Sequence, residues 1–277
     1  MKKLKAFSLI ELSIVILIIG ILVAGVTQSS RLVRQFRLQT ARNITINAPM
    51  SSIPNLALWL EPTQEGSFLE SEASDGVAVT KWNAINRTAI EKATISVLGT
   101  APVYRQSAIS GLPAIQFSGN GCYTIDHVGI TNNGLKTFFA VFLETAKNGA
   151  SAGTYLYDNL VVPPQFAFIL PINQTGQIFA GASVVGGSIL LNKPNLVTIV
   201  HNSANSFFRV NGVQIPNGNG GTNIMNSSTR LGGGGCTSVF DTFYGYIAEF
   251  IIYDRVLKAE EYNDIEKYLS AKWNIKI

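Results

Sequence analysis

The period of the apolar positions divides the chain into unlike parts. Residues 7–26, FSLIELSIVILIIGILVAGV, are an unbroken apolar run with one charge, Glu11, and no proline. A run of about 20 residues at 1.5 Å rise spans about 30 Å, one bilayer core, which predicts a membrane helix or an export signal rather than a soluble core helix. Leu32, Val33 and Phe36 keep helical spacing beyond it, so the helix should continue to about Thr40, with Pro49 and Pro54 ending any helical reading. From Leu56 the pattern changes to short β-rich runs such as LALWL (56–60), FFAVFL (138–143), FAFIL (166–170), LVTIV (196–200) and FYGYIAEFIIY (243–253), broken by Gly, Asn and Pro.

In SFFRV-Asn211-Gly212-VQI, an Asn-Gly pair between strand-like runs predicts a type I′ hairpin, whose two turn positions need positive φ. Helical period returns only at the end, where EEYNDIEKYLSAKW sets Tyr262, Ile265, Leu269 and Trp273 on one stripe. The expected fold is an all-β jelly-roll sandwich closed by this amphipathic helix and preceded by the long N-terminal helix. The expected boundaries are a leader at 1–6, a transmembrane and neck helix at 7–42, a linker at 43–55 and the β domain at 56–277.

With 277 residues, 47% hydrophobic and 14% charged, the chain is long enough for a sizeable core and too apolar for disorder. Its mean hydropathy of +0.24 and isoelectric point near 9.0 are averages over the parts. Lys2, Lys3 and Lys5 stand before the apolar run, and Arg31, Arg34, Arg37 and Arg42 stand after it. Residues 53–277 hold 14 basic and 16 acidic residues, so the main domain lacks the basic balance of a nucleic-acid binder. Basic residues on both sides of the apolar run leave its orientation undecided.

The start of the chain resembles the type IV prepilin class of pilins and pseudopilins. The resemblance rests on the basic leader, the small residue Ala6, then Phe7-Ser8-Leu9-Ile10-Glu11 and the apolar helix. It implies cleavage after Ala6 by a prepilin peptidase, N-methylation of Phe7, and Glu11 as the fifth residue of the mature chain. The usual residue before the cut is Gly. The resemblance also keeps the leader cytoplasmic and sends everything after residue 26 outside. An acidic residue at mid-bilayer costs about 2.5–3.5 kcal/mol. Pairing of Glu11 with the Phe7 amine of a neighbouring subunit would satisfy both charges only on assembly. The implied location is the inner membrane as precursor, then a periplasmic or cell-surface filament.

The main domain resembles the concanavalin A-like lectin/glucanase superfamily in its laminin-G-like form. LALWLE, Trp82-Asn83, LPAIQFSG (112–119), TFFAVF (137–142), RVNG (209–212), LGGGG (231–235) and the closing stretch 243–273 carry the resemblance. Lys258 stands where a Ser or Thr cap is usual. The resemblance implies adhesion or glycan binding, with Tyr104, Tyr123, Tyr155 and Tyr157 as aromatic candidates for a ligand groove. It admits calcium on the sandwich rim, without singling out ligands, and no other cofactor.

Catalysis by paired carboxylates finds little support. Glu70, Glu72 and Asp75 lie in a small-residue polar stretch that reads as a solvated loop, and Glu249 and Asp254, five apart on a strand, would point to opposite faces. His127 and His201 lack metal-ligand spacing, and the tetraglycine 232–235 lacks the Lys-Ser/Thr of a phosphate loop. Cys122 and Cys236 could form one disulfide, worth about 4–5 kcal/mol for so long a loop, or be two buried thiols. The expected function is a pilin-like, minor-pilin surface protein displaying a lectin-like domain and not an enzyme. The alternatives are a pseudopilin of a type II-like secretion system and a membrane-anchored glycan-processing enzyme.

Overall fold

A strand that is apolar at every position needs cover on both faces. FFAVFL is such a stretch within a longer strand, and its two faces organise the domain. The computed structural model describes residues 8–86, 94–126, 134–147, 153–159, 166–170, 174–225, 228–233, 236 and 242–277. Two compact units are present, Met1–Thr40 and Ala41–Ile277. Helix α1 is Leu9–Ile46, and its last residues, from Ala41, belong to the second unit.

The second unit carries strands β1 (Leu56–Leu60), β2 (Thr94–Gly99), β3 (Val103–Ile109), β4 (Leu112–Ser118), β5 (Gly121–Asp126), β6 (Lys136–Ala146), β7 (Thr154–Asn159) and β8 (Ala167–Leu170). It continues with β9 (Gly176–Phe179), β10 (Ser183–Gly186), β11 (Pro194–His201), β12 (Phe207–Val210), β13 (Val213–Gln214), β14 (Ser228–Leu231), β15 (Tyr244–Tyr253) and helix α2 (Ala259–Trp273). One sheet has eight strands, ordered β13-β12-β11-β6-β15-β4-β3, with β1 paired to β15 off this path. The other has seven, ordered β10-β9-β8-β7-β14-β5-β2. Each of these pairings is antiparallel, as in a jelly-roll sandwich.

On β6 the side chains alternate between two cores. Phe138, Ala140 and Phe142 join the core that also holds Tyr157 and Phe168 of the second sheet. Phe139 and Val141 join a separate core with Ile265, Leu269 and Trp273 of α2. The C-terminal stripe read from the sequence is this covering helix. Glu261, rather than a side chain at Lys258, caps it by accepting the Lys258 N–H at 2.8 Å. The Asn211-Gly212 turn joins β12 to β13, with φ of 48° and 78°, as a type I′ turn requires. Gly232, the first of the tetraglycine, has φ 96°, and a Cβ there would lie 2.3 Å from the Phe117 ring.

The linker expected at 43–55 needs correction, as does the helix end near Thr40. The helix runs to Ile46, a 3-10 turn follows at Pro49–Ser51, and Ala41, Ala48 and Met50 are buried in the α2-side core. Ala41, Ile44 and Ala48 fall at i, i+3 and i+7 and are received by this core, with the hydroxyl of Thr45 buried beside them. Arg42 adds an ion pair to Glu65 at 2.7 Å and donates from Nε to the Thr63 carbonyl at 2.7 Å. The segment is part of the domain.

Candidate functional site

Among the described residues, two of the places that hold carboxylates in apolar surroundings stand out. The first is the start of α1. Its apolar side chains are exposed, Leu17 63% and Leu22 62%, and none of the apolar stretch is buried among the described residues. The helix is long and apolar enough to cross a membrane. Glu11 lies in the first turn, where Oε2 accepts the Ser8 N–H at 2.9 Å, at the end of the helix whose dipole favours an anion. Ala6 and Phe7 lie outside the described residues.

The second place is sealed between α2 and the first sheet. A β-bulge on β15 between Ile247 and Glu249 slips the period by one residue. Glu249 therefore sits opposite Val141, on the α2 side of the sheet. Its Oε1 accepts from Trp59 Nε1 at 2.7 Å and Tyr268 OH at 2.8 Å. Its Oε2 accepts from Trp273 Nε1 at 2.8 Å and Lys272 Nζ at 3.0 Å. Lys272 Nζ also reaches Glu61 Oε1 at 2.5 Å. Glu61, just past β1, is held by Thr63 N–H at 2.8 Å and Thr63 Oγ1 at 2.5 Å on Oε1, and by Gln64 N–H at 2.9 Å on Oε2. Tyr268 OH meets Thr45 Oγ1 at 3.2 Å, which ties the network to the end of α1. Burial pushes the Glu249 carboxyl above its usual range, and Lys272 offsets part of that rise.

Residues 1–27 match the model of the prokaryotic N-terminal methylation motif. The chain therefore begins with a segment similar to the prokaryotic N-terminal methylation motif. No curated protein matches it by sequence. Among solved structures, the β domain is similar to the Trypanosoma rangeli sialidase in complex with 2,3-difluoro-KDN, at 13% identity and TM-score 0.51, over 79% of this chain and 33% of that one. It is also similar to the binding domain of botulinum neurotoxin DC in complex with SialylT, at 12% identity and TM-score 0.51, over 78% and 51%. Domain 4 of AbnA, an extracellular arabinanase from Geobacillus stearothermophilus, aligns at 13% identity and TM-score 0.49, over 76% of this chain and 98% of that one. The chain thus spans about a third of the sialidase and half of the toxin domain. At such identities the likeness is one of fold alone, an antiparallel jelly-roll sandwich. The chain joins an N-terminal methylation motif to a jelly-roll sandwich.

The remaining candidates of this prepilin-like chain fall as follows. Cys122 and Cys236 are joined in a disulfide, with Cα atoms 5.2 Å apart. Tyr104, Tyr123, Tyr155 and Tyr157 do not line a surface groove. All four are buried, because they sit at strand positions whose side chains pack inside the fold. Tyr123 OH donates to the Val79 carbonyl at 2.9 Å, and Tyr157 OH to Met225 Sδ at 2.9 Å. The acidic stretch 70–75 is only partly solvated: Glu72 is buried and accepts Thr80 Oγ1 at 2.5 Å, while Asp75 accepts the Gln106 N–H at 2.8 Å. Asp254 pairs with Lys136 at 2.7 Å, away from Glu249.

His201 is buried against Phe166, ring centroids 3.9 Å apart, and burial pushes its pKa down to about 3. His127 lies outside the described residues. Among the described residues no three His, Cys, Asp or Glu side chains gather as a metal site would require. The sequence reading missed the Glu61–Lys272–Glu249 network. Its signal was Lys272, which stands seven residues after Ile265 and therefore on the apolar stripe of α2.

Proposed function

We propose that the protein is a minor-pilin-like subunit that carries a glycan-recognising lectin-like domain on a filament outside the inner membrane. The observation that carries this reading is the methylation motif standing directly on a helix whose apolar side chains are exposed among the described residues. Such a helix needs lipid before assembly and neighbouring helices afterwards. In that filament the Phe7 ammonium of one subunit meets the Glu11 carboxylate of the next, which fixes register in a heterologous, non-closing contact. The bulk of the β domain suits a minor component better than a tightly packed major one. Glycan recognition is supported by the fold shared with the toxin binding domain and the sialidase, whose structures hold sugar ligands.

A glycan-processing role draws less support. Glu61 and Glu249, the carboxylate pair bridged by Lys272, are 0% and 1% exposed and have donors on all four oxygens, so a substrate cannot reach them.

Mass spectrometry of the full chain extracted from membranes tests the proposal. An N-terminal N-methyl-Phe at position 7 is expected, and an intact Met1 would overturn the prepilin part. The detergent-solubilised chain on a glycan array tests the second part, where binding to a defined glycan class is expected and a blank array would leave an inert spacer.

A further inference from the structure

The polar network under α2 places an amine against a carboxylate where neither meets water. Lys272 Nζ and Glu61 Oε1 are 2.5 Å apart, and both side chains are fully buried. Trp59, Tyr268 and Trp273, each at most 7% exposed, wall the site. A buried ion pair is costly, since the attraction must repay the desolvation of two charges. Condensation of the two groups to an amide would remove both charges, giving up the two bonds from Thr63 N–H and Oγ1 to Glu61 Oε1 and keeping the rest of the frame. The amide N–H would keep its acceptor, Glu249 Oε2, and the amide oxygen would keep the Gln64 N–H. Glu249 would retain its donors from Trp59, Tyr268 and Trp273.

We propose that Lys272 and Glu61 form an intramolecular isopeptide bond, with Glu249 as the proton-transfer group. The Lys272 ammonium passes one proton to Glu61 Oε1, and the neutral amine attacks Glu61 Cδ. The charge that develops on Oε2 is received by the Gln64 N–H, a preorganised donor of the kind that stabilises tetrahedral intermediates. Glu249 Oε2 takes the second proton from Nζ and returns it to the hydroxyl at Oε1, which leaves as water. The Nζ–Cδ bond forms, the Cδ–Oε1 bond breaks, and both lysine protons depart in the water. No oxidant, reductant or co-reactant is consumed. The raised basicity that burial gives Glu249 suits it to hold a proton between these steps.

A cleft of about 130 Å³ lined in part by Thr45, Trp59 and Gln64 adjoins the network and offers the water a way out. The bond would join positions 211 residues apart and fasten the last turn of α2 to the end of β1, next to the segment through which α1 enters the domain.

The test is a tryptic digest of the full chain, reduced and denatured, read by tandem mass spectrometry. Trypsin does not cut after an acylated lysine. Residues 43–81 joined to residues 268–276, with a mass about 18 Da below the sum of the two linear peptides, are the expected product, the loss being one water. Linear 43–81 together with a free peptide ending at Lys272 would overturn the proposal, and this reading needs no variant. Glu249→Gln, checked for folding by its circular dichroism, should yield the linear peptides with at least a tenfold loss of joined product. Undiminished joining in a folded Glu249→Gln protein would overturn the role of Glu249.

Discussion

The apolar run of α1 and the apolar strand β6 look alike as strings of residues and differ in what covers them. Ile16 on α1 is 62% exposed, whereas Phe138, Phe139, Val141 and Phe142 on β6 are at most 1% exposed. The strand finds both of its covers inside the fold, the second sheet on one side and α2 on the other. The helix leaves its apolar side chains exposed among the described residues. Hydrophobicity therefore reports a need for cover, and only the chain's own topology says whether that need is met internally. Phe138→Ala should destabilise the β domain by about 3–5 kcal/mol, the usual cost of emptying a packed aromatic site. Ile16→Ala should leave the unfolding of the same domain unchanged. Denaturant unfolding of both variants in detergent checks the contrast, and equal losses would break it.

The boundary between the two regions lies at Ala41 rather than near residue 56. Met50, fully buried, belongs to the β domain's core, and Phe36, 71% exposed on α1, does not. Met50→Ala should cost about 2–4 kcal/mol of domain stability. Phe36→Ala should cost nothing in the same measurement. The same logic predicts that a soluble fragment beginning at residue 53 is much less stable than one beginning at residue 41, which urea titration would show.

Much of the fold was legible because its signals are local. The helix period of the N-terminal run, the Asn211-Gly212 turn and the stripe Ile265, Leu269, Trp273 each need only a window of residues, and each has its counterpart in the structure. What could not be read depends on long-range geometry. The bulge before Glu249 reverses which face that residue occupies, and a period-2 reading has no means of seeing it. The four tyrosines carry no local mark that separates a groove from a core. Glu61 and Lys272 meet across 211 positions, and only the stripe position of Lys272 hinted at a buried charge. The segment 41–50 shows its apolar spacing once the receiving core is known; alone, it is outweighed by two prolines.

A smaller contrast is set by pH. His201 is buried neutral, with its pKa pushed down to about 3 from an ordinary 6.5, mainly by burial and further by Lys136. Below pH 6.5 the unfolded chain takes up a proton that the folded chain refuses. The stabilisation is therefore present above pH 6.5 and is lost as pH falls toward 3. Between pH 7 and pH 4.5 this group should remove about 2–3 kcal/mol. His201→Phe should flatten the acid limb of the domain's unfolding profile by that amount. Residues of α1 before Ala41 should have no such effect.

The smallest expected effect is at the start of α2, the helix that covers the β6 face. Glu261 accepts two bonds from Arg255, at 2.6 and 2.8 Å, and caps the helix through the Lys258 N–H. Arg255 is the main reason its pKa falls to about 2 from an ordinary 4.5. Because the folded-state pKa is depressed, the contribution is present above pH 4.5 and lost as pH falls through 2. The pair is partly exposed, so solvent screens it, and Glu261→Gln should cost about 1 kcal/mol at pH 7, cap and ion pair together. Raising the salt to about 1 M should shrink the ion-pair share while leaving the cap. No loss at pH 7 would mean that α2 is held by its apolar stripe alone, and a loss unaltered at pH 2 would assign it to the cap rather than to the ion pair.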